Sequence, residues 1–143
     1  MDLDITQFSV ELVRRAADAI IYADHEGKIR FWNGGAERVF GFATHEAMGQ
    51  SLDLIIPQNL RERHWQGFEK TMRTGESRYG AGDTLSVPAI RKDGTRISVE
   101  FTIAAFRDDS GRMVGIAAIL RDVTARFEQM KALQRQLAAS RGG

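Results

Sequence analysis

The chain has 143 residues, enough for one packed core with a helical extension and too few for a sensor joined to a full catalytic module. Its 20 Lys and Arg against 19 Asp and Glu leave a formal charge of +1, so no global field draws it to nucleic acid or an anionic membrane, and neither is expected as a partner. Cysteine is absent, which removes disulfides, thiolate metal ligands and thiol nucleophiles together.

No secretory n-region opens the chain, and no apolar run approaches the ~18 residues of a spanning helix, so a cytoplasmic location is expected. "ITQFSVELVRRAADAI" places Ile5, Phe8, Leu12, Val13, Ala16 and Ala17 at steps of three and four, which predicts an amphipathic helix over residues 5–18 that covers a core or a partner. "AIIYADHEGKIRFWN" predicts two short strands around a tight turn at "DHEG". Asn33 then suits the cap of a following helix, and Trp32 reads as structural. The stretch "NGGAERVFGFATHEAMGQSL" predicts short helical pieces punctuated by Gly34, Gly35, Gly41 and Gly49.

Residues 57–74 predict a longer helix, with Pro57 in its first turn and Gly75 at its stop. Leu60, His64 and Phe68 stand four apart and share a face, expected to point at the core. Trp65 lies about 100° round the helix from His64 and is expected to face another direction, as an exposed contact surface.

Three extended segments follow, "YGAGDTLSVPAIRKDGT", "RISVEFTIAAFRD" and "MVGIAAILRDVT", separated by the turns "KDGT" and "DDSGR". The middle one sets Ile97, Val99, Phe101 and Ile103 against Ser98, Glu100 and Thr102, the pattern of a half-buried antiparallel strand. From Ala125, "ARFEQMKALQRQLAAS" carries Phe127, Met130, Leu133 and Leu137 at helical spacing and predicts an exit helix that serves as a connector. The division expected is a flanking helix over 1–18, a core over 19–124, and a signalling helix with a flexible "RGG" tail over 125–143. The element order defines an α+β domain on an antiparallel sheet.

Few residues point to chemistry. His25 in the turn and His45 at a helix start read as surface residues, and neither forms a metal-ligand spacing with His64. "GAGD" lacks the Lys-Ser or Lys-Thr of a phosphate loop and reads as a flexible entry to a strand. Asp83 and Glu100 are isolated carboxylates, and no nucleophile and base can be paired, so the chain is not expected to be an enzyme.

"DAIIYADHEGKIRFWNGGAERVFGF", "RKDGTRISVEFTI" and "RMVGIAAILRDVTARF", in that order, closely resemble the PAS sensory domain family over roughly residues 12–126. The resemblance implies a five-stranded antiparallel sheet in the order 2-1-5-4-3, with helices folded across one face around a ligand cavity. It places Leu60, His64, Phe68, Leu85, Phe101, Ile103 and Ile119 as cavity-lining candidates. It also implies that Asp122, Val123 and Thr124 end the last strand and couple it to the exit helix, and through it to an effector such as a histidine kinase, cyclase or transcription regulator in bacterial signal transduction.

Flavin-adduct and xanthopsin-type members need a cysteine, so the missing cysteine excludes both photochemistries. Haem-binding members carry their proximal histidine after a proline with six residues between the two, and with an arginine three before the histidine. "IPQNLRERHWQGF" sets Pro57, Arg61 and His64 in that relation, making His64 the candidate axial ligand to the iron of a haem b. The distal arginine or methionine of the oxygen sensors has no counterpart in "GAGDTLSV", so oxygen selectivity is not carried over. The plainer reading makes His64 one polar residue on a wet "RERH" face, with another small ligand or none.

Two functions follow from the resemblance. One is a sensory module that binds a small ligand or cofactor and signals through its exit helix, with haem-based gas or redox sensing as its leading specific version. The other is an unliganded dimerisation or protein-interaction module, in which the N-terminal and exit helices pair across a two-fold axis through Phe8, Leu12, Val13, Met130, Leu133 and Leu137.

Overall fold

Period-two alternation along "RISVEFTIAAFR" folds as a strand because every second side chain then meets the same layer of packed residues. The computed structural model of the chain describes residues 2–76 and 85–141, with Leu85 through its backbone alone. In chain order the elements are α1 (Ile5–Arg15), β1 (Ala19–Asp24), β2 (Ile29–Trp32), α2 (Gly34–Phe40) and α3 (Thr44–Ala47). Two 3-10 turns over Leu52–Ile55 and Gln58–Leu60 lead into α4 (Arg61–Thr74), followed by β3 (Leu85–Ile90), β4 (Arg96–Arg107), β5 (Met113–Asp122) and α5 (Thr124–Arg141).

The strands form one antiparallel sheet in the order β2-β1-β5-β4-β3, as the resemblance implies. One face carries Ile21, Ile29, Trp32, Ala89, Ile97, Val99 and Leu120, packed against Ala36, Phe40, Ala47 and Ile55 from the helical layer. Phe40, Ile29 and Val99 are almost wholly shut from solvent, each contributing about 1.5–3 kcal/mol by burial. Among the described residues β3 is an edge strand, and it carries Pro88 opposite Ser98.

Turn chemistry follows the sequence closely. Gly27 closes the β1–β2 hairpin at φ 79°, with its N–H on the Asp24 carbonyl at 2.9 Å. Gly41, at φ 83°, stops α2. Gly34 and Gly35, expected to interrupt helices, instead open α2, capped by Asn33. A Cβ on Gly35 would lie 2.1 Å from the Asp18 carbonyl oxygen, so the close approach of two backbones selects glycine there.

The N-terminal helix ends at Arg15, three residues short of the expected stop, and buries no residue. Ile5, Phe8 and Leu12 are 65%, 47% and 56% exposed, so its apolar stripe does not cover the core of its own chain. The exit helix α5 also buries nothing. The expected helix from Pro57 begins as a 3-10 turn and becomes α-helical at Arg61, and Gly75 at φ 74° terminates it.

Candidate functional site

Helix α4 brings His64, Trp65 and Phe68 into one aromatic cluster. His64 lies 4.9 Å from Trp65 and 6.2 Å from Phe68 between ring centroids, and Trp65 meets Phe68 edge-on at 5.2 Å. The expectation of an exposed Trp65 is corrected: it is half-buried, and its Nε1 donates to Asp53 Oδ1 at 2.7 Å. Phe68 stands three residues from Trp65 and four from His64, so its ring reaches both despite their angular separation. The indole also lies over Gly27, where a Cβ would come within 2.3 Å of it. Arg61 completes the base of the cluster, donating from Nε to the Ile56 carbonyl at 3.1 Å and from Nη2 to the Asp53 carbonyl at 3.3 Å.

His64 Nδ1 is buried and has no hydrogen-bond partner among the described residues. Burial of the ring lowers its pKa from the ordinary 6.5, with the Asp53 charge pulling weakly the other way, so imidazole is the neutral, metal-competent form at pH 7. No group of three or more His, Cys, Asp or Glu among the described residues is placed to hold a metal ion. A metal group at His64 would be held by that imidazole alone and would bring its other ligands with it, as haem does.

The remaining cavity candidates are dispersed. Leu60 is half-buried where the 3-10 turn passes into α4. Phe101 is half-buried and packs against the core, and Ile103 is half-buried further along the same face of β4. Leu85 pairs with Phe101 in the β3–β4 register, but its side chain, like "GAGD" and Asp83, lies outside the described residues. Ile119 is a correction: it is 48% exposed and pairs with Thr102 on the opposite face of the sheet. Its neighbour Leu120, opposite Phe101, occupies the inner position instead.

Two hollows went unanticipated because each is made by elements distant in sequence. One, of about 170 Å³, lies on the outer sheet face against Ile119, Thr102, Asp18 and Arg121. The other, of about 400 Å³, is lined by Phe40, Gly41, Arg91, Lys92 and Asp93. Neither is lined by His64. His25 and His45 are exposed, as expected.

The junction of β5 and α5 is tightly built. Asp122 Oδ1 accepts from the Thr124 N–H at 2.9 Å and from its hydroxyl at 2.5 Å, and the same hydroxyl oxygen accepts from the Ser98 N–H at 3.0 Å. Val123 is buried and its N–H donates to the Ser98 carbonyl at 2.9 Å. Arg126 pairs with Glu100 across the same corner. The start of the exit helix is thus bonded to β4 as well as to β5.

This fold, the capped exit from β5 and the helix-covered inner face define a PAS domain. A family profile described as the PAS fold matches residues 7–123, and the chain belongs to that family. It is 30% identical over 117 residues to the sensor protein FixL of Bradyrhizobium diazoefficiens, covering 82% of this chain and 23% of that protein. It is 26% identical over 117 residues to the oxygen sensor protein DosP of Escherichia coli, covering 82% of this chain and 14% of that one. Among solved structures, the PAS domain of a Colwellia psychrerythraea protein superposes with a TM-score of 0.74 at 24% identity, over 85% of this chain and 99% of that one. The chain therefore spans less than a quarter of either sensor's length.

Proposed function

We propose that this domain is the sensory input of a signalling protein, reporting a change at α4 and the inner sheet face through the β4–β5 corner to α5, and from there to an effector. The observation that carries this reading is the Thr124 hydroxyl, which holds Asp122 of β5 and the Ser98 N–H of β4 together at the first residue of a helix that buries nothing of its own. Any shift between the two strands must then re-aim α5.

In its specific version the reading assigns haem to His64. When bound, haem would supply a centre that takes a diatomic gas or changes redox state. His64 would hold it by a neutral imidazole nitrogen, and Phe68 and Trp65 would exclude water beside that ring. Expression with haem supply followed by an absorption spectrum tests this: a Soret band lost or displaced in His64→Ala supports it, and a colourless folded protein ends it. Amide exchange in the first turn of α5, compared with and without bound haem, tests the relay separately, and an exchange rate indifferent to loading would count against it.

A second reading, a module that joins two copies, is favoured by the exposed stripes of α1 and α5, where Phe8, Leu12, Met130, Leu133 and Leu137 are each between 47% and 57% exposed. Sedimentation of the full chain and of a chain cut after Thr124 tests it. A full chain that is monomeric at every concentration sinks this reading, and a cut chain that stays dimeric assigns the contact to α1.

A further inference from the structure

Although α1 buries no side chain, its C-terminal end sits in a polar socket. Asn33 is 2% exposed, and its Oδ1 accepts from the N–H groups of Ile20 and Ala36, both at 2.8 Å. Its Nδ2 donates to the carbonyls of Val13 at 2.8 Å and Asp18 at 3.1 Å. Both donors and both acceptor positions of one amide are therefore filled by backbone from α1, the following segment, β1 and α2. The socket is tight: a Cβ on Gly34 would lie 3.1 Å from the Arg14 carbonyl, and Arg38 donates to the Ala16 carbonyl at 3.3 Å. At the end of α1, where carbonyls lack helical partners, Asn33 thus satisfies that of Val13, and Arg38 of α2 satisfies that of the capping residue Ala16. Polar groups, and not apolar packing, fix the direction in which α1 leaves the domain.

From the same segment Asp18 reaches across 103 residues of sequence to Arg121, accepting from Nε at 3.2 Å and Nη2 at 3.1 Å. Arg121 directly precedes Asp122, the residue that caps α5. Asn33, Asp18, Arg121 and Asp122 therefore link the end of one flanking helix to the start of the other along a single margin of the sheet. No residue of α4 and none of the inner face takes part.

We infer that Asn33 and Asp18 couple α1 to α5 directly, so that a displacement imposed on the N-terminal helix reaches the exit helix with the interior unchanged. The domain then has two inputs converging on one output, the interior of the proposed function and α1. Asn33 and Asp18 act as positioning residues for the second. The inference uses the relay to α5 but not the ligand, and its test is run without one.

Amide hydrogen exchange on the whole chain provides that test. Asn33→Asp keeps an oxygen for the Ile20 and Ala36 N–H groups and sets a second oxygen against the α1 carbonyls in place of the donor. Its expected result is faster exchange, by about fivefold or more, in α1 and also at the Phe127 N–H, which bonds the Val123 carbonyl at 2.8 Å. The Ile29 N–H at the start of β2, bonded to the Gln50 carbonyl and to no residue of the path, should keep its rate. Acceleration confined to α1 would overturn the inference. If Asn33→Asp does not fold, Arg121→Gln reads the same path backwards, because coupling is reciprocal. It should speed the Ala16 N–H, which bonds the Leu12 carbonyl at 3.0 Å, and an unaltered Ala16 rate overturns the inference equally.

Discussion

Trp65 Nε1 donates to Asp53 Oδ1 at 2.7 Å while the far edge of its indole rests on Gly27, so one side chain fastens α4 both to the preceding 3-10 turn and to the β1–β2 hairpin. Trp65→Phe, which keeps an aromatic ring and removes the donor, is expected to destabilise the fold by about 0.5–1.5 kcal/mol in urea unfolding. Gly27→Ala adds a Cβ at φ 79° where the indole already lies, and is expected to cost more than about 1 kcal/mol. Combining the two changes should cost less than their sum, and strict additivity would show that the two residues do not meet.

The buried ring of His64 makes stability depend on pH. Its folded pKa is below the unfolded value of 6.5, so the unfolded chain takes up the proton first and stability falls as pH drops through 6.5 and below. Unfolding midpoints of haem-free protein from pH 7.5 to pH 5 should show this slope, and His64→Phe should flatten it. A slope of equal size in the variant would assign the effect elsewhere. Asp93 and Asp108 act in a lower window: hydrogen bonds from Thr95 and Ser110 hold their carboxyls below the ordinary 3.8, so their contribution is lost only under that pH.

Thr124→Val preserves shape and removes the hydroxyl that joins Asp122 to the Ser98 N–H. The expected loss is about 0.5–2 kcal/mol, typical of a helix cap, with exchange in the first turn of α5 accelerated more than exchange at Ile29. Equal acceleration at both would mean that the hydroxyl serves global stability and not the corner.

Deleting residues 128–143 removes a helix with no buried residue. The remaining domain should unfold within about 1 kcal/mol of the full chain, with helical circular dichroism reduced in proportion to the residues lost. A larger drop would reveal that α5 covers apolar surface in solution.

Much of this architecture is legible in the sequence because short-range rules govern it. The Ile97, Val99, Phe101 and Ile103 alternation marks β4, "DHEG" marks the first hairpin, and Gly75 marks the end of α4. The orientation of Ile119 is not legible in this way. "VGIAAIL" is apolar on both of its alternating faces, so the period that would separate inward Leu120 from outward Ile119 is absent. His64 stands out through its distance from Pro57, but its neighbours do not, since Trp65 is held by Asp53 and Gly27 from other parts of the chain. Asn33 reads locally as a helix cap, which it is, while its bonds to Val13 and Asp18 depend on the fold that brings those carbonyls to it.

Pro88 has a consequence for the rim of the sheet. On an edge strand a proline offers no N–H to an incoming strand, and it interrupts the open ladder at which proteins stick together edge to edge. Protection against runaway aggregation is thus written into the rim of the sheet, while the apolar stripes on its flanking helices are left open. Strand addition at β3 is therefore disfavoured as a route to self-association.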